Sequence, residues 1–457
     1  MIRPPPALRT PSVPPTRDPE VPSRDRPLTV FAVAFALALL AHQLWWRGVP
    51  GADLHGLVVI AAVWVLLRPA APARVALLAA VEAGAVARDL PTVGDHTLLA
   101  AVTALAFAVA FAVAAARTRG VPTAEALWAQ LAPFLRVQAV LLYAAAALAK
   151  LNTGFLDAAT SCAGPLAAEL AFFDPSLLGG RWHVGPAIVA TIVVEAGLAV
   201  LLAVPRTRVP AVVAGAGFHA MLALAGNVPF AAYALVLYVA FLPSSALPSL
   251  GVLPRLVAAG VGALWLAATV TGADQATVRE LLQPALRVAV AVGLLTFAVA
   301  VARRARSGSP APGRVLRLRP VYAVAAALLL VNAASPYVGL KTEASFAMFS
   351  NLQTEPGHWN HVLLPEAVRV FGAQDELVRL EVAGAPSLER RRRAGMLMVR
   401  AELERYLRRD PGASATYVLA SDPSQRWTSS AATLGTRPLF DRVMNFYDVR
   451  EGGRGRC

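Results

Sequence analysis

Apolar stretches of roughly 20 residues recur along the first three quarters of the chain, and each is long enough to cross a bilayer as a helix. Only helices and closed barrels satisfy every backbone polar group in lipid, and the alternating pattern of barrel strands is absent. The 457 residues are 57% apolar and only 15% charged, which is too little charge to cover a soluble protein of this size. The sequence therefore predicts an all-α polytopic transmembrane helix bundle.

About eleven spans fit these stretches, and together they make residues 28–339 the predicted bundle. The spans are placed at 28–46, 53–71, 74–90, 97–116, 126–149, 183–204, 209–226, 228–242, 252–271, 284–302 and 320–339. Residues 1–27 are rich in proline and arginine, which predicts a disordered cytoplasmic tail. No small-residue cleavage motif follows the first apolar run, so a cleavable signal peptide is not expected.

The basic residues between the spans support this set. With a cytoplasmic N-terminus, eighteen of them lie in cytoplasmic segments and five in the outer loops that precede the last span. Cytoplasmic loops retain Lys and Arg, so this asymmetry is the expected one. Without the short third span, which contains Glu82, the basic residues Arg117 and Arg119 would fall on the wrong side. The odd number of crossings predicts that residues 340–457 lie outside the cytoplasm.

The segment 340–457 differs in kind from the bundle, because it alternates polar and apolar residues and carries more charge. Its predicted elements are strands at 375–383 and 415–421, a charged helix at 388–409 and a last strand at 444–449. A small C-terminal extracytoplasmic α+β domain is therefore predicted.

The longest outer connection is the loop 150–182, and its apolar middle is too short to span, so an interfacial or re-entrant helix is expected there. This loop contains Cys162, and the only other cysteine is the final residue, Cys457. Both lie on the predicted oxidising side, where disulfides persist. A Cys162–Cys457 disulfide is predicted, with two free thiols as the alternative.

Lys150 is the most informative single residue. The chain has 40 arginines and only two lysines, a bias typical of a GC-rich bacterial source, so a position that needs only positive charge would ordinarily hold Arg. Lysine, unlike arginine, can lose its proton when it is partly desolvated and can then act as a base. The alternative is a lysine that anchors a helix end by reaching toward the interface.

Ionisable residues inside spans are costly and are therefore functional candidates. Four qualify, namely Glu82, Arg136, Glu195 and His219. His219 could relay protons, bind a metal or hydrogen-bond a neighbouring helix, and Glu195 could pair with Arg136 or with His219.

No metal site is predicted. His358 and His361 are spaced so that both could bind one metal ion, but no Cys, Asp or Glu cluster joins them. The net charge of +14 does not indicate nucleic-acid binding, since many of the basic residues lie in short loops between spans. Phosphate-binding, dinucleotide-binding and nucleophile-elbow motifs are absent from the sequence.

Several segments together resemble the horizontally transferred transmembrane (HTTM) family, whose members are similar to vitamin K-dependent gamma-glutamyl carboxylase. The segments are LLYAAAALAKLNTGFLD (141–157), SCA (161–163), VVEAGLAVLLAVPRTR (193–208), FHAMLALAGNVPF (218–230), SFAMFSNLQTEPGHWNHVLLP (345–365) and RGRC (454–457). They extend over most of the chain from about residue 28 onward.

The resemblance implies roles for particular residues. Lys150 would deprotonate a reduced vitamin K or menaquinol, whose anion is oxygenated as the quinol becomes an epoxide. His219 would support this site, while Asn152, Glu195 and Arg136 are candidate substrate-binding residues. Asn152 stands where the family has an acidic residue. The tail after the last span is also much shorter than the carboxylase's lumenal part, and it shows no propeptide-binding segment.

Two other functions remain open at this point. The first is a non-catalytic membrane module whose C-terminal domain binds an envelope partner. The second is a small-molecule transporter in which the ionisable residues within the spans line a path, although inverted repeats are absent. All three functions predict a multi-pass protein of the bacterial inner membrane that is surrounded by lipid.

Overall fold

A computed structural model of the protein describes residues 25–49, 51, 53–172, 183–305, 318–434 and 443–450. Most of these residues are helical, and a small antiparallel sheet lies in the C-terminal region. The predicted tail 1–27 therefore lies almost entirely outside the described residues. The predictions that involve Cys457 and residues 173–182 also fall outside them.

Each predicted span coincides with a helix of the described part of the chain. The helices are α1 (Arg26–Arg47), α2 (Leu54–Leu67), α3 (Pro72–Asp89), α4 (Asp95–Thr118), α5 (Ala124–Ala149), α6 (Thr153–Leu156), α7 (Ala163–Ala168), α8 (Val184–Ala203), α9 (Arg208–Leu224), α10 (Val228–Tyr238), α11 (Leu253–Thr271), α12 (Gln275–Ala305) and α13 (Pro320–Ala334). The short α6 and α7 lie in the loop 150–182, for which a non-spanning helix is predicted.

Seven helices in the described residues are long and apolar enough to cross a membrane. They are α1, α4, α5, α8, α11, α12, and α9 together with the turn that precedes it. The apolar helices α2, α10 and α13 are shorter than these seven. Helix α3 has 18 residues, but several of its side chains are charged. A multi-pass membrane protein agrees with these helices, whereas the total of eleven crossings stays a prediction.

Local sequence explains where α2 begins and how closely α9 and α10 pack. The Asp53 carboxylate accepts hydrogen bonds from the amides of His55 and Gly56, both at 3.0 Å, and so caps α2. Gly215 lets α9 approach α10, because a Cβ atom there would lie 2.3 Å from the hydroxyl of Tyr238. The hydroxyl of Tyr238 can therefore reach the interior of the bundle.

Contacts between the connecting loops fall at two ends of the bundle. At one end Arg47 forms an ion pair with Asp89 at 2.8 Å, and the amide of Val49 donates to the side chain of Gln275 at 2.8 Å. At the other end Arg304 donates to the carbonyl of Leu247 at 2.6 Å. The first two contacts lie at or beside predicted outer loops, and the third lies between two predicted inner segments.

The C-terminal region contains a five-stranded antiparallel sheet in the order β4-β3-β1-β2-β5. Its elements are β1 (Leu377–Ala383), α14 (Pro386–Arg393), β2 (Met396–Val399), α15 (Arg400–Arg409), β3 (Ser414–Leu419), β4 (Arg426–Ser430) and β5 (Val449–Arg450). The predicted strands near 375–383 and 415–421 are confirmed. The last strand is confined to two residues of β5, and β4 was not predicted.

The predicted continuous helix at 388–409 is wrong. Gly395 adopts a left-handed φ of +63° and ends α14, and the apolar run Met396–Val399 then pairs with β1 as strand β2. The high charge around this run masked it, because the arginines on both sides favour helix and four apolar residues give little periodicity.

Candidate functional site

A cavity of about 340 Å³ lies among α5, α7, α8 and α9, at the end of the bundle that carries the predicted outer loops. Its lining is largely apolar and includes Leu142, Phe218 and Phe230. The ionisable residues of the lining are Asp95, Lys150 and Glu195. An apolar cavity with a few polar groups is the usual form of a small-molecule site.

Lys150 and Glu195 form a buried ion pair at this cavity. The Lys150 ammonium lies 3.0 Å from one Glu195 carboxylate oxygen and 2.9 Å from the other, and the two side chains are 5% and 11% exposed. Lys150 follows the last residue of α5, and Glu195 lies in the middle of α8, which packs along α5. The ammonium therefore turns inward instead of reaching toward an interface.

Glu195 pairs with Lys150, and not with Arg136 or His219, which are the partners that the sequence suggests. Arg136 lies 14 positions before Lys150, about 20 Å along α5, and its guanidinium donates to the carbonyl of Ala240 at 2.9 Å. Arg136 does not line the cavity. Its predicted role in substrate binding at the Lys150 site therefore has no geometric support.

A segment that follows α13 covers the cavity, and we call residues 342–351 the cover segment. Phe346, Met348 and Phe349 from this segment line the cavity. Four of its non-glycine residues have left-handed φ angles of 51–64°, namely Ala344, Phe346, Phe349 and Asn351. Such strained backbone is uncommon and tends to occur at functional sites, where the surroundings hold it in place.

Hydrogen bonds from the bundle and from the loop 150–182 hold the cover segment. The Asp95 carboxylate accepts from the amide of Phe346 at 2.6 Å, and the Asn351 side chain accepts from the amide of Cys162 at 2.7 Å. Sequence analysis missed Asp95 because an acidic residue in the first turn of a helix is the ordinary pattern there. It also missed the strained turns, since no glycine marks them.

Asn152 is fully buried next to the site but does not line the cavity. Its side-chain amide donates to the carbonyls of Ala149 at 2.7 Å and Ser350 at 2.6 Å, and its oxygen accepts from the amide of Phe155 at 2.8 Å. Asn152 therefore caps α6 and joins the loop 150–182 to the cover segment. The geometry favours a positioning role over the predicted contact with substrate.

His219 lies behind the cavity wall. Its Nε2 is 2.7 Å from the hydroxyl of Tyr143, which is 2.6 Å from the hydroxyl of Tyr238. The rings of Phe218 and Phe230, which line the cavity, have centroids 5.3 Å from that of His219. His219 is thus part of a buried hydrogen-bonded chain that packs against the site, and it does not line the cavity itself.

One cysteine of the predicted disulfide, Cys162, lies in the described part of the chain. Cys162 is fully buried at the start of α7, below the cover segment. Cys457 lies outside the described residues, so the Cys162–Cys457 pairing stays a prediction.

His361 fastens the chain that follows the cover segment to the end of α5. Its Nε2 donates to the carbonyl of Leu148 at 3.0 Å, while its Nδ1 accepts from the amides of Leu363 and Leu364 at 3.2 and 2.9 Å. These bonds fit the neutral ring with its proton on Nε2, and they occupy both nitrogens. The described residues contain no group of three or more potential metal ligands, His358 and His361 included.

We expect acidification to loosen this attachment. Burial lowers the pKa of His361, against the opposing effect of its hydrogen bond to Leu148. The released chain then takes up a proton more readily than the attached one, so the contribution of His361 is present at neutral pH. It is lost as the pH falls from about 6.5 through the lowered pKa.

Hydrogen exchange of the amides at 340–365 measures this effect. Protection should fall between about pH 7.5 and about pH 5.5, after correction for intrinsic exchange rates, and the released imidazole's ordinary pKa limits the fall to about tenfold. In His361→Gln, which cannot take up the proton, protection should depend little on pH. An equal loss of protection in both proteins would show that another group is responsible.

Comparisons with known proteins found no relative of this chain. No family model matches the chain, and neither the curated proteins nor the solved structures contain a match. The function proposed below is therefore argued from the geometry around Lys150.

Proposed function

We propose that this protein is a multi-pass membrane enzyme that deprotonates a lipid-soluble quinol, such as reduced menaquinone or vitamin K, for oxidation by oxygen. The observation that carries the proposal is the buried Lys150–Glu195 pair in the wall of an apolar cavity. The resemblance of residues 141–157 to the carboxylases motivates the choice of a quinol over other weak acids.

The proposed topology has eleven crossings of a bacterial inner membrane, with a cytoplasmic N-terminus and residues 340–457 outside. The bias of basic residues and the grouping of loop contacts at two ends support this arrangement. The Lys150 cavity then lies near the outer boundary of the bilayer, where a quinol dissolved in the membrane can reach it.

The wall of the cavity supports entry from the lipid side. Pro186, Ala190 and Met221 line the cavity and are also exposed at the surface of α8 and α9. These residues are apolar, so an isoprenoid chain can remain among the helices while its ring approaches Lys150. The few polar groups in the lining would then orient the ring hydroxyls.

Glu195 gives Lys150 a route to act as a base. The Lys150 ammonium first passes a proton to the Glu195 carboxylate, which leaves a neutral amine beside a neutral acid. Lys150 then accepts the hydroxyl proton of the quinol, so its ammonium stabilises the quinol anion and Glu195 keeps the first proton. The overall reaction consumes one O₂ per quinol and gives the epoxide and water, which balances atoms and electrons.

The buried pair suits this proton transfer because burial disfavours the charged forms of both groups and so lowers the cost of the neutral amine beside the neutral acid. Water is also kept from the site by the cover segment, since Phe346 and Met348 close its outer side. Exclusion of water protects a strongly basic anion from simple reprotonation.

Epoxide formation by the purified protein tests the proposal. We expect wild type in lipid nanodiscs to convert reduced menaquinone or vitamin K to the epoxide in the presence of oxygen. Lys150→Arg keeps the charge but cannot act as a base, so epoxide formation should fall by about 100-fold or more, as it should in Lys150→Met. Arg279→Gln, which removes a charge from the first turns of α12, should retain activity.

Two results would overturn the proposal. The first is the absence of turnover by folded wild type with any quinol, which would favour a membrane module that binds an envelope partner, or a transporter. The second is full activity of Lys150→Arg, which would show that this position supplies only charge.

A further inference from the structure

A second cavity, of about 460 Å³, lies between α4 and α13. The loop between α3 and α4 closes one end of it, together with the chain that follows α13. We propose that this groove binds one anionic phospholipid of the surrounding bilayer, with the headgroup phosphate on Lys341 and an acyl chain along α4 and α13. The inference rests on insertion in a membrane and not on the proposed quinol chemistry.

The walls of the groove are single faces of two helices. Val102, Leu105 and Val109 contribute from α4 at helical spacing, and Ala325 and Leu328 contribute from α13. Leu105 and Leu328 are 54% and 65% exposed, so the groove opens on the lateral surface of the helix bundle. In a membrane this surface faces hydrocarbon, and an acyl chain is the occupant that matches it.

The polar end of the groove carries Lys341 and Asn332. The Lys341 ammonium donates to the carbonyl of Ala344 at 3.4 Å, and within the described part of the chain it forms no ion pair. The nearby carboxylates bond elsewhere, since Glu343 accepts from the Asn445 amide at 3.1 Å and Asp95 accepts from the Phe346 amide at 2.6 Å. Lys341 therefore retains donors for a phosphate.

The chemistry of Lys341 favours an anionic headgroup over a neutral one. A lysine ammonium binds phosphate as a compact charge with three donors, and a basic residue at the membrane surface attracts anionic lipid. Burial lowers the pKa of Lys341, while the charges of Asp95 and Glu343 act against this shift and favour the ammonium. A bound phosphate would supply the counter-charge that the described neighbours do not provide at ion-pair distance.

The groove also adjoins the cover segment. Asn332 donates to the carbonyl of Ala344 at 2.9 Å, and Ala344 lines the groove two positions before Phe346 enters the Lys150 cavity. A lipid in the groove would therefore contact the base of the cover segment on the side opposite Lys150.

Native mass spectrometry of the intact protein, equilibrated with phosphatidylglycerol or phosphatidylcholine, tests the inference. We expect wild type to retain one phosphatidylglycerol in preference to phosphatidylcholine. Lys341→Gln should weaken retention of phosphatidylglycerol by about tenfold and abolish the preference, whereas Lys341→Arg should retain both. Arg279→Gln serves as the matched loss of a basic residue at the same end of the bundle.

Substitutions in the apolar wall of the groove test whether it binds the acyl chain. Ala325→Trp fills the groove and should remove the retained lipid, while Ala259→Trp on the exposed face of α11 should not. If Ala325→Trp does not fold, Leu328→Gln, at an exposed position of the same wall, replaces it. Equal retention of the two lipids by wild type, or unchanged retention in Lys341→Gln, would overturn the proposal, as would unchanged retention in the groove variant.

Discussion

Glu195→Gln is expected to lower the free energy of unfolding by about 3–5 kcal/mol, because it leaves the Lys150 ammonium buried without its counter-charge. Lys150→Met should have a similar cost, since the Glu195 carboxylate then loses its ammonium in an apolar cavity. With side chains only 5% and 11% exposed, water cannot readily replace the missing partner. Reversible unfolding in detergent, followed by tryptophan fluorescence, measures both effects.

The double variant Lys150→Met/Glu195→Met separates the cost of a lone charge from the value of the pair. Two apolar side chains of similar volume leave no charge unpaired, so its stability should lie within about 1 kcal/mol of wild type. This folded protein should nevertheless form no epoxide, because it has neither the base nor the proton acceptor. Single variants that each cost less than about 1 kcal/mol would contradict the buried pair.

Gly339→Ala should lower stability by about 2 kcal/mol or more beyond the effect of Gly357→Ala. Both glycines have left-handed φ angles, of +81° and +72°, so both substitutions carry the backbone cost of about 1–2 kcal/mol for a side chain in that region. They differ in surroundings. A Cβ atom at Gly339 would lie 2.1 Å from the carbonyl oxygen of Phe371, whereas nothing lies within 4 Å of one at Gly357.

The clash at Gly339 cannot be relieved by a rotamer change, because the obstructing atom belongs to the backbone. The amide of Phe371 donates to Val338 at 2.9 Å, and that of Ala373 donates to Gly339 at 3.2 Å, so a shift would break the junction between α13 and the C-terminal region. Thermal unfolding of the two variants, with limited proteolysis of the cover segment, measures the difference. Equal destabilisation by the two substitutions would mean that the junction yields easily.

Sequence alone located the apolar helices of the bundle. All eleven predicted spans coincide with helices, because the match between an apolar stretch and a bilayer depends on composition over about 20 consecutive residues. The same local logic placed β1 and β3, and it failed at β2, where four apolar residues between arginines gave too short a pattern. Composition also drew attention to Lys150, because lysine is rare in a chain with 40 arginines. It could not show which way the Lys150 side chain turns.

Tertiary structure alone decided what surrounds Lys150. Its carboxylate partner is 45 positions away, and the Met348 carbonyl that it also contacts is 198 positions away. Neither contact follows from a local pattern, because it depends on which faces of α5 and α8 meet and on how the cover segment folds back over them. The fit of an apolar stretch to a membrane depends on the composition of that stretch by itself, whereas a buried charge pair exists only where packing brings two distant elements to within 3 Å.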